Sequence, residues 1–124
     1  MRIETGIDII EIERITDKMS NNPNLLNIVF TAFEIEQTRN LSNKFQTLAG
    51  KWASKEAFSK ALGTGFAEEL GWKDIEIRND INEKPVINIL KEDLKDKFKI
   101  SQISLSITHT KDYAAASVVI VFEN

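Results

Sequence analysis

The chain has 124 residues, 42% of them hydrophobic and 28% charged, enough for one hydrophobic core and too few to divide comfortably into two. A formal net charge of −3, with no basic run interleaved with aromatics, disfavours bulk nucleic-acid binding and requires any anionic partner to meet a local basic patch. There is no cysteine for disulfide or thiolate chemistry and no apolar N-terminal run of the signal-peptide or membrane-span kind, so one cytoplasmic domain over residues 1–124 is expected.

Residues 2 to 10 alternate Ile3, Thr5, Ile7 and Ile9 against Arg2, Glu4, Gly6 and Asp8, the period-2 pattern of a half-buried strand. Asp8 points away from the isoleucine face. It reads either as a solvent-facing acid or as a metal ligand, since magnesium prefers carboxylate oxygens. From Ile10 the apolar spacing lengthens to Ile12, Ile15 and Met19, so the strand passes directly into a short helix. Arg14 and Lys18 lie at i and i+4 on its other side, as a solvated face or as a small basic patch for an acidic partner. Asn21-Asn22-Pro23-Asn24 breaks the chain. The next helix has Thr31 as N-cap and Glu34 at the third helical position, a capping box, and fades near residues 40 to 43.

The spacing over residues 44 to 62 predicts a long helix closed by Gly63 as a left-handed cap. At about 100° per residue from Phe45, Leu48, Ala49, Trp52 and Ser59 fall within about 60° of one direction, and Glu56 joins them at roughly 20°. A carboxylate in an apolar stripe must be paired, metal-bound or at the mouth of a cleft, because an isolated buried charge is costly. Lys60 shares that face one turn on. Phe58 and Leu62 fall off the stripe, so the helix is apolar on more than one side and is either central or shared with another subunit. Ala49, Ala53, Ala57 and Ala61 recur every fourth residue and permit close approach of a neighbouring element.

Residues 72 to 78 and 85 to 89 alternate as the strands of a hairpin, 91 to 98 read as a charged surface helix, and 103 to 107 with 113 to 122 form a last strand pair. The turn between that pair holds the only histidine, in Thr108-His109-Thr110-Lys111-Asp112. It is a polar hairpin tip or a phosphate contact. Acids on two elements, lysines at 51, 55 and 60 and this turn together suit metal-assisted chemistry on a diphosphate, with two carboxylates holding magnesium and lysines neutralising phosphate. The residues alone identify no acceptor.

The segments GIDIIEIERI at 6–15, LAGKWASKEAFSKALGTG at 48–65, WKDIEIRND at 72–80 with Lys84-Pro85, and ISLSITHTKDYAAASVVI at 103–120 closely resemble the holo-acyl carrier protein synthases. These are small bacterial 4′-phosphopantetheinyl transferases, and the blocks match in order and overall length. The resemblance implies an α+β 4′-phosphopantetheinyl transferase fold, an antiparallel sheet packed on a long central helix, assembled as a homotrimer with active sites at subunit interfaces and an inactive monomer. It implies transfer of the phosphopantetheine arm of CoA to a serine of apo-acyl carrier protein in fatty acid biosynthesis, releasing adenosine 3′,5′-bisphosphate. Asp8 and Glu56 would hold Mg2+, Lys60 would stabilise the diphosphate and leaving group, and Glu56 or, preferably, a metal-bound water would take the serine proton. Lys51, Lys55, Gly63, His109 and Thr110 would contact CoA with Lys60, Lys84 and Pro85 would border the adenine, and Arg14 and Lys18 would meet the acidic carrier protein. An alternative is a non-catalytic CoA- or carrier-protein-binding module with the same fold.

Three positions depart from the family pattern. Lys51 stands where arginine is common and loses the bidentate fork for phosphate. Glu83 replaces the glycine usual before Lys84-Pro85, and Glu4 replaces the first of an N-terminal glycine pair. Glu83 is expected to weaken CoA binding; none of the three touches Asp8, Glu56 or Lys60.

Overall fold

The computed structural model describes residues 1–124. The first and last strands pair: β1 (Arg2–Glu11) runs antiparallel to β5 (Tyr113–Phe122), with Arg2 opposite Phe122 and Glu11 opposite Tyr113. β4 (Ile100–His109) lies on the other side of β5, giving a three-stranded antiparallel sheet in the order β1-β5-β4. A second, two-stranded antiparallel sheet is the hairpin of β2 (Ile75–Asn79) and β3 (Pro85–Ile89). Between β1 and β2 the chain forms α1 (Ile12–Asn21), α2 (Pro23–Val29), α3 (Ala32–Thr38) and α4 (Lys44–Leu62), and α5 (Leu94–Lys97) precedes β4. The class is α+β, as expected.

The alternation of β1 is present, but its buried side is the opposite of the one that hydrophobicity suggests. Ile3, Ile7 and Ile9 are 57%, 69% and 66% exposed, whereas Gly6 and Ile10 are buried and Asp8 is half-buried on the inner face. Contact with α4 explains the inversion. A Cβ on Gly6 would lie 1.9 Å from the Ala57 carbonyl oxygen and 2.7 Å from the Ala61 nitrogen, so the strand backbone rests directly on the helix. Ala49, Ala53, Ala57 and Ala61, all buried, supply the small surface that this approach needs.

α4 has apolar residues all round because it is covered within its own chain. β1 and β5 lie on one side, and α1, α3 and β2 contact the others. Its two-sidedness therefore has an explanation that needs no second subunit. Gly63 ends the helix at φ +91° and its N–H donates to the Ser59 carbonyl, the left-handed cap read from the sequence.

Asn21-Asn22-Pro23-Asn24 does not simply break the chain. Pro23 occupies the first turn of α2, where its missing N–H costs nothing, so the segment ends one helix and starts another. The capping box of α3 is present in full: Thr31 N–H donates to Glu34 Oε1 at 2.9 Å, and Glu34 N–H to Thr31 Oγ1 at 3.2 Å. The charged helix near residue 91 shortens to α5, with Leu94 its buried residue.

Candidate active site

Asp8 is carried on the inner face of β1, two residues beyond Gly6, so the close packing of Gly6 on α4 delivers its carboxylate to the turn bearing Glu56 and Lys60. Lys60 Nζ donates to the Ile7 carbonyl oxygen at 2.9 Å and to Asp8 Oδ1 at 3.1 Å. Asp8 is sheltered, with a side chain 17% exposed, and Lys60 stays open at 52%. The ammonium therefore faces solvent, where an anionic group can reach it.

Glu56 lines the same depression, about 390 Å³ in volume, together with Asp8, Arg14, Lys18, Trp52 and Lys60. Burial pushes the Glu56 carboxyl above the usual carboxylate range; the negative charge of Asp8 pushes in the same direction and Lys60 only partly opposes it. Two carboxylates thus converge on one half-enclosed space. A divalent cation between them would relieve that repulsion, and Mg2+ is commonly held by one or two protein carboxylates with water and phosphate oxygens completing its shell. No group of three or more His, Cys, Asp or Glu side chains could hold a metal unaided. The donor set fits a magnesium ion whose remaining oxygens come from water and a phosphate substrate.

The structure brings together Asp8, Glu56, Lys60, Arg14 and Lys18. It leaves the other proposed contacts outside this depression. His109 and Thr110 are exposed at the β4–β5 turn, where Thr110 Oγ1 accepts the Tyr113 N–H at 3.1 Å. Lys84 Nζ donates to the Leu105 carbonyl oxygen at 3.3 Å, and Pro85 opens β3. The turn stays close to α1 all the same, because Ile12 N–H donates to the Asp112 carbonyl oxygen at 2.9 Å.

Lys51 and Lys55 require correction. Lys55 is fully buried, its Nζ 2.7 Å from Glu34 Oε1, 2.8 Å from the Val29 carbonyl oxygen and 2.9 Å from that of Trp72. One carboxylate and two carbonyls occupy all three of its protons. Lys51, 9% exposed, turns inward and donates to the Ile77 carbonyl oxygen at 3.1 Å. Burial lowers both pKa values, with the Glu34 carboxylate opposing the shift. Their charge serves the fold rather than the open depression. Sequence reasoning missed Trp52 as a wall of the site, although its position one turn before Glu56 on the same stripe was the available signal. It also missed the second partner of Glu34, since a capping box carries no sign of a distant lysine.

A family model described as the 4′-phosphopantetheinyl transferase superfamily matches residues 4–118. A holo-[acyl-carrier-protein] synthase of Bacillus subtilis is 44% identical over 117 residues, covering 93% of this chain and 92% of the relative. One from Shouchella clausii is 42% identical over 122 residues, 97% of this chain and 98% of the relative. The crystal structure of a holo-(acyl-carrier-protein) synthase from Bacillus anthracis in complex with CoA (3′,5′-ADP) is similar with a TM-score of 0.83 and 34% identity, covering 97% of this chain and 96% of that one. The Helicobacter pylori synthase in complex with coenzyme A gives a TM-score of 0.83 and 36% identity, covering 94% of this chain and 99% of that one. With a family model matched over residues 4–118, relatives 42% and 44% identical over more than 90% of the chain, and a shared fold, the chain belongs to the 4′-phosphopantetheinyl transferase superfamily.

Proposed function

We propose that this chain transfers the 4′-phosphopantetheine arm of CoA to a serine hydroxyl of apo-acyl carrier protein. The observation that carries this reading is the meeting of Asp8, Glu56 and Lys60 in one open depression, in a chain whose similar structures include CoA complexes. The serine oxygen attacks the diphosphate phosphorus nearer the pantetheine. A new P–O bond to serine forms, the bond to the bridging oxygen breaks, and adenosine 3′,5′-bisphosphate leaves with the negative charge. The serine proton passes to a base.

Mg2+, with Asp8 and Glu56 as its protein ligands, would supply charge neutralisation to the diphosphate. Lys60, held by the Ile7 carbonyl and Asp8, presents its ammonium to the same phosphates and stabilises the leaving group. The raised pKa of Glu56 also suits a proton acceptor. Charge neutralisation by a bound cation would lower that basicity, so the two roles compete at one carboxylate. Arg14 and Lys18 line the same depression and meet the acidic carrier protein, which brings its serine to the reacting phosphate.

Assembly as a homotrimer completes the site. The uncovered face of the three-stranded sheet supports this, because Ile3, Ile7 and Ile9 lie there beside Ala115, Val119 and Val121 of β5. Such an apolar face on a small chain marks an interface. His109, Thr110, Lys84 and Pro85, outside the depression that holds Glu56 in one chain, then contact CoA held between subunits, with Gly63 at the diphosphate. The setting is cytoplasmic fatty acid biosynthesis; no helix is long and apolar enough to cross a membrane.

Chromatographic detection of adenosine 3′,5′-bisphosphate tests the reading. Release is expected only when protein, CoA, Mg2+ and apo-carrier are all present. CoA binding without release would favour the non-catalytic module with the same fold.

A further inference from the structure

The four helices between β1 and β2 enclose a second space, a half-open cavity of about 300 Å³ that shares no lining residue with the depression around Glu56. None of its lining residues lies in a strand, so the sheet face assigned to the trimer leaves it open. Met19, Leu26, Ile35, Phe45 and Leu48 form its walls. The buried hydroxyl among them, Thr38 Oγ1, is already committed to the Ile35 carbonyl oxygen at 3.0 Å. Walls of this kind, at the small end of ordinary ligand pockets, suit a short aliphatic chain.

The mouth has the opposite character. Arg39 and Lys44 stand there and no acid lines the cavity, in a chain whose net charge is −3. Arg39 Nε is held by Glu36 at 2.9 Å, but both side chains are exposed and such a pair is weak, which leaves the rest of the guanidinium for another anion. Lys44 pairs with no carboxylate; its Nζ rests 5.1 Å from the centroid of the Phe45 ring. Helix polarity is a separate observation in the same place. Lys44 and Phe45 open the 19-residue α4, whose N-terminus has neither a side-chain cap nor an acid in its first turn. A lysine there is set against the macrodipole, and an anion at that end is favoured by the dipole and the ammonium together.

We propose that this cavity binds an unbranched aliphatic carboxylate, with its chain among Met19, Leu26 and Leu48 and its head group between Arg39 and Lys44. The binding does not depend on the function proposed above. Under that function the ligand belongs to the class of product to which fatty acid biosynthesis leads, and Met19 adjoins Lys18 on the carrier-facing helix.

Calorimetric titration of the full chain with hexanoate, octanoate and decanoate, below their self-association concentrations, tests the site. One site per chain is expected, with Kd falling about tenfold for each two methylenes added until the cavity is full. Octan-1-ol, which has the chain without the charge, is expected to bind about tenfold more weakly than octanoate, and octyltrimethylammonium not to bind. Arg39→Gln combined with Lys44→Gln is expected to weaken octanoate by about tenfold and to leave octan-1-ol unchanged. Nuclear Overhauser contacts from the octanoate methyl group to the methyl groups of Met19 and Leu48 are expected to place the chain. Leu26→Trp, which fills the cavity, is expected to abolish binding of both; if it fails to fold, the double charge variant carries the test.

Absence of saturable binding by octanoate and decanoate overturns the inference. So do equal affinities for octanoate and octan-1-ol, an unchanged octanoate Kd in the double variant, or Overhauser contacts to Ile3, Ile7 and Ile9 in place of Met19. None of these readouts requires turnover, so a protein that releases no adenosine 3′,5′-bisphosphate loses the proposed function and keeps this site.

Discussion

Gly6 is the residue on which the placement of Asp8 depends. Any side chain there drives a Cβ into the Ala57 carbonyl, which the rigid helix backbone cannot yield. Gly6→Ala is expected to cost more than about 2 kcal/mol by overpacking, read as a lower urea midpoint, and to lower turnover in whatever fraction folds, since β1 must lift away from α4 and carry Asp8 with it. Wild-type stability in this variant would contradict the packing described. Glu56 has the reverse character, because burial and the charge of Asp8 set its carboxylate against the free fold. Its folded pKa is raised by burial and by Asp8, so between the ordinary value of 4.5 and that raised value the folded state binds more protons than the unfolded one. Stability from this group therefore falls as pH rises through that window. Glu56→Gln is expected to lose turnover by about 100-fold or more, while its urea midpoint in EDTA gains on wild type as pH increases. A gap that stays constant with pH would remove the strain assigned to Glu56.

At the level of elements, much of the chain was legible where a local rule has one outcome. The Thr31–Glu34 capping box, the Gly63 cap, the α4 span and the hairpin all follow from short-range chemistry and are present. The face of β1 was not legible, because alternation gives two faces and hydrophobicity normally chooses between them. Here a glycine and an aspartate face inward, for reasons that lie in α4 about fifty residues away, and the isoleucines are left outside. The charges of Lys51 and Lys55 misled for a related reason: sequence shows a lysine but not the buried glutamate that it meets. The hairpin turn supplies a further test. Glu83 has φ +62°, a left-handed conformation that suits glycine, and Asp80 Oδ1 secures the turn by accepting the Asn82 and Lys84 N–H groups. The family glycine at this position thus has a backbone reason. Glu83→Gly is expected to stabilise the protein by about 0.5 to 1 kcal/mol in urea unfolding, and destabilisation would mean that the Glu83 side chain contributes contacts that outweigh its strain.

For the molecule as a whole, the motif residues Asp8, Glu56 and Lys60 were legible together because the resemblance tied separate segments to one site, and the structure brings all three to one place. The completion of the CoA site across subunits that we propose is a property that no single chain can display. It gives the uncovered isoleucine face a purpose, and Ile7→Asp, placing a charge where apolar surfaces meet, is expected to yield monomers by sedimentation and to lose activity with little change in secondary structure by circular dichroism. A stable trimer with Ile7→Asp would move the interface elsewhere, and a fully active monomer would place the whole site in one chain. The reaction itself is tested most directly by the intact mass of an apo-acyl carrier protein after incubation with this protein, CoA and Mg2+, beside an EDTA control. The expected result is a gain equal to one phosphopantetheine group, suppressed by EDTA; an unchanged carrier mass with several apo-carriers, despite measurable CoA binding, would contradict the assignment of transferase chemistry to Asp8, Glu56 and Lys60.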